Sequence, residues 1–263
     1  WFAWPAALSI LAALYGGLVL APPDYQQGEG FRILYVHAPS AWLSVMIYAV
    51  MATAAGIGLI WRMKVAHAAA ASCAGIGAWF TVVSLVTGML WGKPMWGTYW
   101  VWDPRLTAQL VLLFLYLGYI GLRSGIDDLG RADRASAVLA LVGVVNIPII
   151  RYSVEWWNSI HQAPSVMKME KPSMPMEMLI PLLLMFLGFT LYFAAVMLVR
   201  LRLPEGERID FKAGQFINII LADGERRVLG NLGCEGLGGL EGLALLAQTV
   251  DPAEVVGPLG REV

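Results

Sequence analysis

The sequence predicts an all-α membrane protein: a bundle of six transmembrane helices with a Trp-rich connecting loop, then a short soluble C-terminal tail to which no fold is assigned. Three observations carry this. The 263 residues are 58% hydrophobic and 14% charged, with a mean hydropathy of +0.65; a soluble domain carries about a quarter charged residues. Six uncharged apolar runs are long enough, or nearly so, to cross a hydrocarbon core of about 30 Å. Between two of them lies Trp96-Gly97-Thr98-Tyr99-Trp100-Val101-Trp102-Asp103-Pro104-Arg105. A cluster of indoles between spans serves either as an interfacial anchor or as the wall for a flat aromatic ligand.

The runs are 1–21, 39–61, 68–91, 106–122, 135–150 and 178–199. The first lacks a small-residue cleavage site and reads as a span, not a signal peptide. The fifth is the weakest, because Asn146 and Pro148 interrupt it. A proline is tolerated there if neighbouring helices satisfy the freed carbonyl; without this run the count is five. Lys and Arg favour the cytoplasmic side. Arg62, Lys64, Arg123, Arg131, Arg134, Arg200 and Arg202 follow spans two, four and six. Arg32, Lys93, Arg105, Arg151, Lys168 and Lys171 lie in the opposite loops. The narrow majority places both termini in the cytoplasm and the Trp-rich loop outside. With six spans, loops one, three and five share one face. That face gathers His37, His161 and Trp residues 91, 96, 100, 102, 156 and 157. His67 falls on the other side beside Lys64 and is expected to be a solvated loop residue.

Residues 1–202 form the membrane domain and 203–263 the soluble tail. The tail alternates over Phe211–Leu221 and then reaches Asp223-Gly224, a strand-and-turn signal. Phe211–Ile219 resembles an early strand of the ferredoxin-reductase-type flavin barrel, but the Arg-aromatic-Ser stretch expected next is absent. The Gly-rich run 230–242 reads as a flexible linker. The tail is taken as a poorly ordered appendage or a sequence artefact, without flavin function.

Composition excludes several functions. A net charge of −1 gives no electrostatic case for nucleic acid. Cys73 and Cys234 form no CxxC or disulfide framework. None of the six runs contains Asp, Glu, Lys, Arg or His in its interior, which argues against an ion-driven transporter. No phosphate-binding G-x-x-x-x-G-K-[ST] loop is present, so any ATP hydrolysis belongs to a partner. Three histidines, one on the far face, cannot form the two bis-His haems of a transmembrane b-type cytochrome. No nucleophile is placed for Ser-His-Asp chemistry.

The imidazoles and indoles on one face do suggest chemistry. His ligates iron, copper and zinc. His37 and His161, from separate loops, can clamp a planar macrocycle, with indoles covering its faces. Arg32, Arg105 or Arg151 can pair with propionates, and Asp103 can hold an Arg or an indole N–H. Singly, each His reads as a cap and each Trp as a belt residue; a belt alone needs neither Asp103 nor Gly97 nor concentration on one face. The belt alternative is a permease subunit of an ABC-type transporter whose Trp loop is only an anchor. Met167, Met169, Met174, Met176 and Met178 are read as a loop lying on the membrane or a partner, in preference to a copper site.

The Trp96–Asp103 stretch resembles the WWD signature of bacterial haem-handling proteins. Within that group the chain is similar to the CcmC family, the haem exporter protein C family of cytochrome c maturation. Supporting stretches are Pro22–Glu29, Val36–Trp42 and Glu155–Gln162. Tyr99 stands where Trp is common and Pro104 where Ala is common. The resemblance, over residues 1–202, implies six spans in the bacterial inner membrane and a periplasmic WWD loop flanked by His37 and His161 as axial ligands of haem b. It implies a site that includes Trp96, Gly97, Thr98, Tyr99, Trp100, Trp102, Asp103, Trp156 and Trp157. It also implies presentation of haem to the periplasmic chaperone CcmE, beside the ATPase CcmA, CcmB and CcmD, by an assembly factor and not an enzyme.

Overall fold

The computed structural model describes residues 2–157, 159, 161, 174–201, 219–222 and 225–228. The chain divides into two units, Trp1–Arg202 and Leu203–Val263.

Among the described residues, seven α-helices build the first unit: α1 (Ala3–Tyr15), α2 (Leu34–Trp61), α3 (Lys64–Trp96), α4 (Pro104–Gly125), α5 (Leu129–Gly143), α6 (Asn146–Trp156) and α7 (Met176–Arg200). A π-helical turn, Gly16–Leu20, continues α1, and a 3-10 turn, Glu29–Ile33, leads into α2. Six stretches among the described residues are long and apolar enough to cross a membrane, with α5 and α6 together making the fifth. This is a multi-pass membrane protein. The break between α5 and α6 falls at Val144 and Val145, beside the Asn146 and Pro148 interruption. Asn146 is buried there, and its amide donates to the Ala108 carbonyl of α4 at 2.9 Å. A neighbouring helix thus steadies the weakest span.

Two helices outrun their apolar runs. The sequence starts span two at Pro39, yet the helix begins before the proline, because Tyr35 is fully buried with Phe31 and Leu182. The third span continues past 91 to Trp96. At 33 residues, α3 is roughly 50 Å long, well beyond the membrane core. That excess lifts Trp91 and Trp96 to one end of the bundle. Gly97 ends α3 in the left-handed region at φ 78°, its N–H on the Lys93 carbonyl at 3.0 Å. A side chain there would strain the backbone. Asp103 caps α4, accepting the Arg105 N–H at 2.9 Å. Pro104 takes the first helical position, where a missing N–H leaves nothing unpaired.

Leu43, Ile47, Met51, Leu112 and Tyr116 centre the core between α2, α3, α4 and α5. Buried polar groups cross it in pairs. Gln109 donates to Ser44 Oγ at 2.8 Å, and the Tyr116 hydroxyl to the Ser44 carbonyl at 2.7 Å. A smaller cluster joins Ala21, Phe31 and Tyr35 to Met178 and Leu182.

Two expectations are corrected. His67 is no solvated loop residue. It lies in α3, buried, with its ring against Gly58 of α2; the helix starts at Lys64 and turns His67 inward. The described part of the Met-rich stretch is no surface loop, since Met176 and Met178 lie in α7. Met178 is buried in α7 and Met174 packs beside it, while Met167 and Met169 lie outside the described residues. In the second unit, β1 (Ile219–Ala222) and β2 (Glu225–Val228) pair antiparallel, with Ala222 opposite Glu225. They flank the Asp223-Gly224 turn signal. The expected strand from 211 to 218 and the linker 230–242 lie outside the described residues.

Replacing Asn146 with Leu is expected to lower stability in detergent by about 1 kcal/mol. Denaturant titration reads this as a lower unfolding midpoint, and an unchanged midpoint contradicts the contact's role.

Candidate functional site

A cavity of about 400 Å³ lies at the Trp91–Trp96 end of the bundle, within the usual span of small-molecule sites, roughly 300–1,000 Å³. Its wall brings together Gln27, His37, Trp42, Gly88, Trp91, Trp96, Arg105, Gln109, Arg151, His161 and Phe186, among others. These residues come from the α1–α2 connection, from α2, α3, α4, α6 and α7, and from the segment after α6. Of the residues picked from sequence, His37, His161, Trp96, Arg105 and Arg151 line it.

The two imidazoles are held alike. The Nδ1 of His37 lies 3.0 Å from the Ser84 carbonyl and 3.1 Å from Thr87 Oγ1 on α3. A carbonyl only accepts, so Nδ1 carries the proton. Thr87 itself donates to the Val83 carbonyl at 2.6 Å, which leaves its oxygen free to accept. The Nδ1 of His161 lies 3.0 Å from Asp103 Oδ1, again an acceptor. Among the described residues no hydrogen bond reaches Nε2 of either ring. Each ring therefore keeps its Nε2 lone pair for the cavity. Tethering one imidazole nitrogen to a carboxylate or carbonyl is how proteins prepare the other as a metal ligand.

Each imidazole also meets one indole of α3 edge to face. His37 and Trp91 have ring centroids 5.6 Å apart; His161 and Trp96 are 5.1 Å apart. Gly88 admits the first ring: a Cβ there would lie 3.1 Å from His37 Cε1. Asp103 is buried, and its one oxygen serves both the α4 cap and His161. The His161 pKa is lowered from its ordinary 6.5, first by burial and then by Arg105, while the Asp103 carboxylate pulls it up. Above its ordinary pKa the ring is neutral and can ligate a metal.

Apart from Arg151, the remaining sequence-picked residues are not part of the cavity wall. Trp102 is 75% exposed and packs edge-on against Trp100, and Tyr99 lies under Lys93. Thr98 Oγ1 bonds the backbone of Trp100 and shapes the loop. Trp156 stacks on Tyr152 and touches Trp157, and both indoles are exposed. Arg151 pairs with Glu155 at 3.6 Å and lies over Tyr152. Arg32 is absent from the cavity wall: it pairs with Glu29 and donates to the Gly17 carbonyl at 2.7 Å. Asn158, Ile160 and Gln162 of the Glu155–Gln162 stretch lie outside the described residues.

Ser84, Thr87, Gly88, Gln109 and Phe186 were not singled out from sequence, and Gln27 and Trp42 lay in supporting stretches of the resemblance without a role of their own. Trp91 was placed on this face but given no role. A usable signal was the need of a ligating His for an acceptor. Ser84, Thr87 and Gly88 recur at three- and four-residue spacing, on one face of a helix.

The fold and site define a class: a six-span membrane protein whose cavity, at one end of the bundle, carries two Nδ1-tethered imidazoles among indoles. The family model described as "Heme exporter protein C" matches residues 1–209. Heme exporter protein C of Haemophilus influenzae is 50% identical over 202 residues, 77% of this chain and 82% of that protein. That of Escherichia coli K12 is 52% identical over 206 residues, 77% and 83% of the two chains. A ccmC-like mitochondrial protein of cytochrome c biosynthesis from Marchantia polymorpha is 44% identical over 177 residues, 67% and 75% of the chains. The chain belongs to the heme exporter protein C family.

Asp103→Asn removes the charge that raises the His161 pKa and leaves burial and Arg105 in place. The expected outcome is a further fall in that pKa, followed by NMR titration with His161→Ala as the assignment control. A rise, or no change, contradicts the proposed coupling.

Proposed function

We propose that this chain holds haem b as cargo at the cavity end of its helix bundle and presents it to the periplasmic chaperone CcmE during cytochrome c maturation. The site faces the periplasm, the protein spans the bacterial inner membrane, and both termini are cytoplasmic. The observation that carries this reading is the paired tethering of Nδ1 on His37 and His161, with both rings lining one cavity. Their donor set fits haem iron, which accepts axial imidazole. Two imidazoles would keep the iron six-coordinate until a ligand from the chaperone displaces one.

The other groups follow from their placement. Trp91 and Trp96 wall the cavity. Arg105 and Arg151 lie on the same wall and suit carboxylate propionates; Arg32 is left out, being engaged by Glu29 and Gly17. Gly97, Thr98 and Asp103 hold the loop's shape. Tyr99, Trp100, Trp102, Trp156 and Trp157, outside the cavity wall, are the aromatic groups offered to cargo, membrane headgroups and the chaperone. The protein acts as a transport and assembly factor. ATP hydrolysis comes from the partner CcmA, with CcmB and CcmD completing the complex.

Purified protein is expected to carry haem with a bis-imidazole spectrum. His37→Ala with His161→Ala should abolish that spectrum and cut haem retention at least about tenfold. A bis-imidazole spectrum that survives both substitutions refutes the ligand assignment. Trp100→Phe with Trp102→Phe separates the belt alternative, which requires unchanged haem content and chaperone loading.

A further inference from the structure

The connection between α1 and α2 is built as a bracket. After Pro22 and Pro23, Asp24 Oδ1 accepts the backbone N–H of Gln26 at 2.9 Å and of Gln27 at 2.8 Å. The backbones of Asp24 and Gly28 exchange two hydrogen bonds, of 3.2 and 2.9 Å, with Gly28 at φ 56°. The Gln27 carbonyl accepts the Gly30 N–H at 3.2 Å. Arg32 then ties the segment to the Gly17 carbonyl at the end of α1. Side-chain and backbone bonds of this kind fix a turn without a strand or helix around it.

The bracket has one inward product. Tyr25 and Gln26 are exposed, whereas Gln27 lines the cavity. Its Oε1 accepts the Trp91 Nε1–H at 3.0 Å, across 64 residues of chain. An indole N–H is a donor only, so this bond settles the ring rotation of a partly buried Trp91. Trp91 in turn meets His37 edge to face, at 5.6 Å and 73° between planes. Ser84 and Thr87 fix where His37 Nδ1 points, but a hydrogen bond along that direction leaves rotation about it soft. The edge of Trp91 restrains that rotation.

We propose that Gln27 is a positioning residue for the imidazole of His37. It locks Trp91 from the α1–α2 bracket, and Trp91 sets the plane of the ring. The proposal deepens the haem reading and rests on it for its consequence, but the relay itself needs no haem. On binding, the ring plane governs overlap between the ligand lone pair and the iron, and the orientation of the imidazole above the macrocycle. Asp103 fixes the second ring from the opposite side of the sequence, so the relay acts on His37 alone.

The test uses the full chain in detergent, labelled with ¹⁵N in histidine and tryptophan, with His37→Ala and Trp91→Phe as assignment controls. In the haem-free protein, Gln27→Leu is expected to move both the Trp91 indole and the His37 imidazole signals. Gln27→Glu keeps an acceptor and should return both towards wild type. In the haem-loaded protein, Gln27→Leu should shift the ferric EPR g values and speed haem loss about two- to tenfold, the loss of one neutral hydrogen bond; Gln27→Glu should do neither. If Trp91 moves and His37 does not, the relay is overturned. If both move but Gln27→Leu and His37→Ala leave the haem spectrum at wild type, the relay stands and the ligand assignment of His37 falls.

Discussion

An imidazole can offer one nitrogen to a ligand reliably only when its other nitrogen is fixed by an acceptor. At the cavity end of this bundle that constraint is met twice, by unrelated means. His37 turns Nδ1 onto a helix carbonyl and a threonine of α3. His161, in the segment after α6, turns Nδ1 onto the buried carboxylate of Asp103. Remove either acceptor and the ring is free to flip, to change tautomer, or to satisfy itself elsewhere. The cavity would survive such a change, but its donor set would not.

The fold is arranged around those two acceptors. Ser84 and Thr87 face His37 because α2 and α3 are packed along their lengths, and Gly88 leaves room for the ring to approach. Asp103 stands where it does because it caps α4. The same oxygen that takes the Arg105 N–H also takes His161, so helix initiation and ligand orientation share one atom. Gly97 ends α3 and frees the chain to reach Asp103 in a short loop. The WWD stretch therefore divides. Its first residue, Trp96, faces the cavity beside His161; its last indole, Trp102, is turned out.

Much of this was legible in the sequence, for physical reasons. Hydrophobic length fixes spans, because an unpaired backbone cannot sit in lipid. Even the interrupted fifth span could be placed from Asn146 and Pro148. The meeting of His37, Trp96, Arg105, Arg151 and His161 at one end follows from the count of crossings. Helix ends were less legible. Pro39 marked a start that burial of Tyr35 overrides, and polar Lys93 and Pro94 hid the extension of α3 to Trp96. His67 was misplaced because one turn of helix decides whether a residue near a span end faces water or a neighbouring helix. Long-range partners were hidden altogether. Gln27 meets Trp91 and Asn146 meets Ala108 across 64 and 38 residues, and no local pattern encodes such pairs. Arg32 drew notice as a cation on the right face, yet it serves Glu29 and the end of α1.

The most direct measurement is the tautomer of the two rings in the haem-free protein, from the ¹⁵N shifts of their ring nitrogens at neutral pH. Both rings should show a protonated Nδ1 and an unprotonated Nε2. A proton on Nε2 of His37 or His161, with Nδ1 bare, would contradict the idea that acceptors in the fold ready these imidazoles for iron.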